Sequence, residues 1–167
     1  MDETVADDVA ADSVPAPITD LLAPGSVRLA SSAGDWETAV RQVGALLVDA
    51  GAVAPGYVDL MVERDRDIST FVGEGFAIPH GTLAGRDLVE RDALAVVQFP
   101  DGVDWHGERV EMCIGIAASG GSHVPILAQL AEILMEPDQA EALRTAATVD
   151  AVFTYLTPDP TDDESDG

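Results

Sequence analysis

Apolar positions along this chain recur with two different periods, and the two alternate from one segment to the next. Ser26–Leu29 reads as a short strand. Asp35 caps a helix whose apolar residues return every three or four positions, at Trp36, Val40, Val43, Leu47 and Ala50, and Gly51 stops it. Pro55 opens a second helix in its first turn, with Tyr57, Leu60 and Met61 facing inward and Arg64 near its end. The stretch Gly75–Pro79 is short, apolar and bounded by Gly and Pro, as a buried strand end would be. After a polar link, Leu94–Phe99 and Val110–Ala117 read as strands, and the Gly- and Asp-rich connection Pro100–Arg109 predicts a hairpin between them.

Ser122 is placed to cap a further helix with Ile126, Leu127, Leu130, Ile133 and Leu134 on its apolar face; Pro125 is tolerated there because it falls in the first turn. A break at Pro137 precedes a short helix to about Ala146. Thr148 starts a last one carrying Val149, Val152, Phe153 and Leu156. Strands and helices intermingle, so the expected class is α/β, a single domain with one mixed sheet. Residues 1–17 alternate Ala, Val, Asp and Pro without a period and read as a flexible acidic arm. Residues 159–167 read as an acidic tail, which leaves 18–158 for the domain. There is no internal repeat.

Composition adds one unusual term. The 167 residues include 31 Asp and Glu against eight basic residues, for a net charge of -23, and all eight basic residues are arginine. Five acids fall in the first 12 residues and five between Asp159 and Asp166, so 21 lie in the middle of the chain. Such a polyanion repels phosphate backbones and anionic membrane surfaces, which excludes nucleic acid as a partner class. At ~1 M salt the Debye length falls to ~3 Å, so an acid-rich, lysine-free surface suggests a protein working in molar salt, as in a halophile. Cys113 is the only cysteine and sits in an apolar run, as a buried small hydrophobe does. No apolar stretch approaches the ~18 residues of a membrane span, and the acidic N-terminus is no secretory signal. The expected location is the cytoplasm, with no insertion in the membrane.

No dinucleotide glycine motif, Walker loop or zinc spacing is present, so no cofactor or metal is expected. Three histidines remain. His80 lies between Pro79 and Gly81 at the end of an apolar strand, where the backbone presents the ring and glycine-lined strand exits leave N–H groups to meet an anion. Local chemistry leaves two readings open, a functional imidazole or a turn residue without a task.

The stretch TFVGEGFAIPHGT (70–82) resembles the active-site signature of the mannitol/fructose-type enzyme IIA components of the bacterial phosphoenolpyruvate:sugar phosphotransferase system. The likeness runs from about Leu21 to Leu156. It takes in LLVDAGAVAPGYVDLMVERD (46–65), VVQFPDGVDW (96–105) and GIAASGGSHVPILAQLAEIL (115–134), and the PHGT form is nearer the mannitol-type branch. The resemblance implies a mixed sheet flanked by helices on both faces, and a phosphotransferase component that forms a phosphohistidine. His80 would be the phosphoryl acceptor, through Nε2, and His123 the accessory histidine ahead of the amphipathic helix. Arg64 would border the site and stabilise the phosphate. The donor would be the histidine-phosphocarrier protein and the acceptor a cysteine on a IIB component.

A neutral imidazole is a competent nucleophile, and phosphoryl transfer asks the protein mostly for positioning and positive charge. His123 and Arg64 are suited to supply that charge, Arg in bidentate fashion; against this stand a solvated helix-end arginine and a helix-start histidine without a role. His106 and Arg66 match no family role and read as a surface residue and a neighbour. The Pro100–Met112 connection is shorter than in typical mannitol-type members. Fructose is the sugar expected of a free-standing component. Two other function classes stand beside transport: a regulatory module signalling nitrogen or carbon status through His80 phosphorylation, and a hydrolase built on His80. The hydrolase is disfavoured because no serine or cysteine nucleophile lies in a motif that would use a histidine base.

Overall fold

The computed structural model describes residues 17–119 and 123–157, so the expected arm (but for Pro17), the acidic tail and the Ser122 cap lie outside the described residues. Five strands form one sheet in the order β1-β4-β5-β3-β2, with β1 Leu22–Arg28, β2 Phe71–Gly73, β3 Phe76–Ala77, β4 Ala93–Trp105 and β5 Glu108–Ala117. β4 pairs antiparallel with β5 at the centre; β1 runs parallel to β4 and β3 parallel to β5. β2 closes the edge as the antiparallel partner of β3. The sheet is mixed, as expected.

Both faces are covered. Along β4, Ala93, Ala95, Val97 and Phe99 join a core with α1 (Trp36–Asp49) and α2 (Gly56–Asp67). Leu94 and Val96 join the opposite core, built with α3 (His123–Leu134), α4 (Pro137–Arg144) and α5 (Val149–Tyr155). Burial on both sides is why this strand reads as a continuous apolar run instead of alternating. The one break in it, Gln98, falls on the second face and is buried. Its Nε2 donates to the carbonyls of Arg144 (3.1 Å) and Ala146 (2.7 Å), and its Oε1 accepts from Ala30 N, so it closes the C-terminal end of α4.

The helix signals hold closely. Asp35 Oδ1 accepts from Thr38 N at 2.8 Å, and Thr148 Oγ1 accepts from Ala151 N at 3.0 Å. Leu60, expected inward, is only half-buried, because it leans on Gly85 in the 3-10 segment Leu83–Leu88. The strand boundaries differ more from expectation. β1 begins four residues earlier than Ser26 and runs through Pro24, which an edge strand tolerates since no neighbour needs its missing N–H. β2 was not anticipated; Glu74 and Gly75 turn it back onto β3 with φ of 55° and 81°.

The largest correction concerns the connection Pro100–Arg109. Both strands run into it, and the turn is only His106–Gly107, with φ of 54° and 95°, the two left-handed residues of a type I′ hairpin. The Pro, Gly and Asp signals were real, but Val103 and Trp105 alternate inward and are buried. Arg109 ties down the carbonyls of Pro100 and Asp101 across the irregular pairing. Cys113 is fully buried in β5, and burial holds its thiol well above the ordinary range.

Candidate functional site

Beyond β3 the chain continues as Ile78–Gly81, held along β5 without being a regular strand. Ile116 N donates to Pro79 O at 2.9 Å, and His80 forms an isolated parallel bridge with Ile116. Ile78 N donates to Thr70 O at 3.1 Å on the other side. The far end of the turn is secured by Tyr57 of α2. Its hydroxyl donates to Ile116 O at 3.0 Å and accepts from Gly81 N at 2.9 Å. The same ring explains the glycine: a Cβ on Gly81 would lie 2.5 Å from Tyr57 Cε1.

His80 is half-buried, with Nδ1 2.9 Å from the carbonyl of Ile78. A carbonyl only accepts, so Nδ1 carries the proton and the Nε2 lone pair is left for chemistry. The imidazole is held below its ordinary pKa, first by burial. The positive charge of Arg64 and the neighbouring His123 push in the same direction, against the hydrogen bond to Ile78 and the charge of Asp65. The ring is therefore neutral, and nucleophilic, over a wider range than an exposed histidine.

His123 enters from the first turn of α3, with its ring 6.5 Å from that of His80 and only 18° from parallel. Arg64, near the end of α2, donates from Nη1 to Ile68 O at 2.7 Å and is half-buried, with its charge felt at His80. Of the three residues singled out from the sequence, His80 at the β3 exit and His123 on α3 stand ring beside ring, and Arg64 on α2 acts on His80 through its charge. His106 lies elsewhere, exposed in the β4–β5 turn, where its ring meets Trp36 at 4.6 Å between centroids. Arg66 turns to α1, 3.3 Å from Glu37 and over the Trp36 ring. Both residues are exposed, where a surface residue and a neighbour of Arg64 were expected.

Two participants escaped sequence reasoning. Tyr57 reads in the sequence only as an inward-facing apolar residue, although a buried tyrosine hydroxyl usually finds a partner. Asp65 was passed over beside Arg64, and it is completely buried. Among the described residues, no three His, Cys, Asp or Glu side chains gather as a metal site would require, and no helix is long and apolar enough to cross a membrane. What the site offers is an imidazole with an unprotonated Nε2, a second histidine ring 6.5 Å away and the charge of Arg64 acting on it.

The family described as "Phosphoenolpyruvate-dependent sugar phosphotransferase system, EIIA 2" matches residues 20–158. A "Multiphosphoryl transfer protein" of Xanthomonas campestris pv. campestris is 42% identical over 151 residues, which are 90% of this chain and 18% of that protein. This chain therefore spans less than a fifth of that relative's length. A "Mannitol-specific phosphotransferase enzyme IIA component" of Halalkalibacterium halodurans is 36% identical over 136 residues, 81% of this chain and 94% of the relative. Among solved structures, the complex of enzyme IIAMTL and phosphorylated enzyme IIBMTL from Escherichia coli aligns with a TM-score of 0.76 and 32% identity. The alignment covers 81% of this chain and 98% of the other.

Proposed function

The chain belongs to the EIIA 2 family of the phosphoenolpyruvate-dependent sugar phosphotransferase system, and from that premise we propose that it is a phosphocarrier whose acceptor is His80. The observation that carries this assignment is the bond from His80 Nδ1–H to Ile78 O at 2.9 Å, which leaves the ring's other nitrogen unprotonated and so supports a nucleophilic role for it. Nε2 attacks the phosphorus of a phosphohistidine on the histidine-phosphocarrier protein. The donor's N–P bond breaks, the Nε2–P bond forms, and the proton on Nδ1 stays in place. In the second half, a cysteine thiolate of a IIB component attacks the same phosphorus and His80 leaves as the neutral imidazole it was before.

Arg64 and His123 steady the equatorial oxygens in both halves. The positive charge of Arg64 matters more here than in most proteins, because a net charge of -23 repels an incoming phosphate. The IIB component as acceptor is supported by the complex of the related mannitol IIA with its phosphorylated IIB. For the sugar, the names of the relatives favour mannitol over the fructose expected from the sequence. A cytoplasmic location accords with soluble partners of this kind; a salt-rich setting rests on composition alone.

The test is to incubate the chain with phosphoenolpyruvate, the two general phosphotransferase proteins and a mannitol-type IIB. The wild type should take label on His80 and pass it on, and His80→Ala should take none. Undiminished labelling of His80→Ala, or label on His106 or His123, would sink the assignment.

A further inference from the structure

Asp65 is the one carboxylate fully buried among the described residues, and nothing in the phosphoryl-transfer scheme uses it. A charge taken out of water is kept only where donors surround it, and three do. Trp105 Nε1 donates to Oδ1 at 2.8 Å, Thr70 N donates to the same oxygen at 3.1 Å, and the Thr70 hydroxyl donates to Oδ2 in a short bond. His106 Nε2 stands 3.5 Å from Oδ1 at the rim. Thr70, itself buried, is thus gripped at both backbone and side chain. Its carbonyl accepts from Ile78 N at 3.1 Å, and the Ile78 carbonyl in turn accepts from His80 Nδ1 at 2.9 Å. The bonds form one unbroken line, Asp65 to Thr70 to Ile78 to His80.

The geometry points to Asp65 and Thr70 as positioning residues for His80: by fixing Thr70, the Asp65 carboxylate sets the Ile78 carbonyl where it holds the proton on Nδ1 and leaves Nε2 unprotonated. This deepens the phosphoryl-acceptor reading and rests on it for the rate measured below, but not for the state of the ring. Hydrogen bonding to one nitrogen is the general way in which a histidine's tautomer is chosen. Here the choice is made from 15 residues away in sequence, through a main chain that neither helix nor regular strand secures. The charged groups acting on His80 are Arg64 and Asp65 from α2 and His123 from α3, and of these Asp65 alone favours protonation.

That sign makes the proposal testable apart from folding. Thr70→Val keeps the side chain's volume and removes only the hydroxyl; Asp65→Asn removes the charge. Imidazole nitrogen NMR on the full chain reads the tautomer and titration of His80, and a labelling time course with phosphoenolpyruvate and the two general proteins reads the rate. In Thr70→Val the Nε2–H tautomer should appear beside the Nδ1–H form and labelling should slow about tenfold, with Thr70→Ser restoring both. In Asp65→Asn the His80 pKa should fall further, because a group that raised it is gone.

Loosening that merely admits water would relieve burial and move the pKa up. An upward shift in Asp65→Asn therefore overturns the proposal. So does a single Nδ1–H tautomer with wild-type rate in both variants. Failure of Thr70→Val to fold also counts against it, since the bond would then hold the fold and not the histidine, and Asp65→Asn decides the matter independently. A wild-type chain that shows the Nδ1–H tautomer yet takes no label defeats the phosphoryl-acceptor reading and leaves this one standing.

Discussion

Pro79-His80-Gly81 and Trp105-His106-Gly107 place the same dipeptide, His-Gly, at the end of an apolar strand, and the two could hardly differ more in their surroundings. His106 sits in the left-handed region at the tip of a two-residue turn, exposed, against the face of Trp36. His80 is half-buried, bonded through Nδ1, stacked near a second histidine and depressed in pKa. The glycines differ too. Gly107 is required by its φ of 95° and has nothing within 4 Å of an added Cβ, whereas Gly81 is required by space, with the Tyr57 ring at 2.5 Å. A histidine becomes a nucleophile through what holds and desolvates it, and the neighbouring glycine alone says nothing of that.

The contrast can be broken most sharply at the second histidine of the pair. His123→Ala should leave His80 able to take label but slow transfer about 10²-fold, as losing one preorganised donor does. His106→Ala should label at the wild-type rate, and equal slowing in the two variants would erase the distinction between a site and a turn.

The glycines come next in size. Gly81→Ala forces a Cβ into the Tyr57 ring and should cost roughly 2–3 kcal/mol of stability, with labelling slowed as the turn shifts. Gly107→Ala meets only backbone strain, about 1 kcal/mol, and should label normally. Chemical denaturation of both variants beside the labelling assay measures the difference.

The pH dependence sharpens it further. With the His80 pKa lowered from 6.5, the acid limb of the labelling rate should lie below that value, while an exposed histidine would begin to protonate there. Stability has a matching sign. Below the ordinary value the unfolded chain binds the proton more readily than the folded one, so stability falls as pH drops through that window and is unaffected above it. A rate profile with its limb at or above 6.5 contradicts the burial argument.

The smallest effect expected is at His80 under salt. Raising potassium chloride from roughly 0.1 M to roughly 2 M should raise the thermal midpoint of the whole domain, since screening relieves repulsion among 31 acids. The His80 titration should barely move, because a half-buried group feels bulk ions less. A midpoint that does not change removes the salt-adaptation reading of the composition.

Much of this was legible one segment at a time. Asp35 and Thr148 announced their helices because a cap acts within three residues. Gly51 and Pro55 marked the stop and the start between α1 and α2. His80, His123 and Arg64 were recognisable because motifs bearing them lie in family order along the chain. The β4–β5 hairpin is as expected but its turn is far shorter, because Pro, Asp and Gly at 100–102 signal a turn locally, while the register that carries strand through them is decided by the opposite strand and by Arg109.

The sequence by itself, then, determined the helices, the central strands, the fold class and the candidate residues His80, His123 and Arg64, since these follow from periods and short motifs that a chain carries in linear order. Only the tertiary structure decided how His80 is held. Tyr57 reaches Gly81 across 24 residues and Ile116 across 59, and Trp105 reaches Asp65 across 40. Such bonds satisfy polar groups that become unsolvated only once helix α2 is laid against the sheet. Before that packing exists, a tyrosine and an aspartate on one helix look like any other inward and outward residues, and nothing in their spacing distinguishes a structural face from the support of an active site.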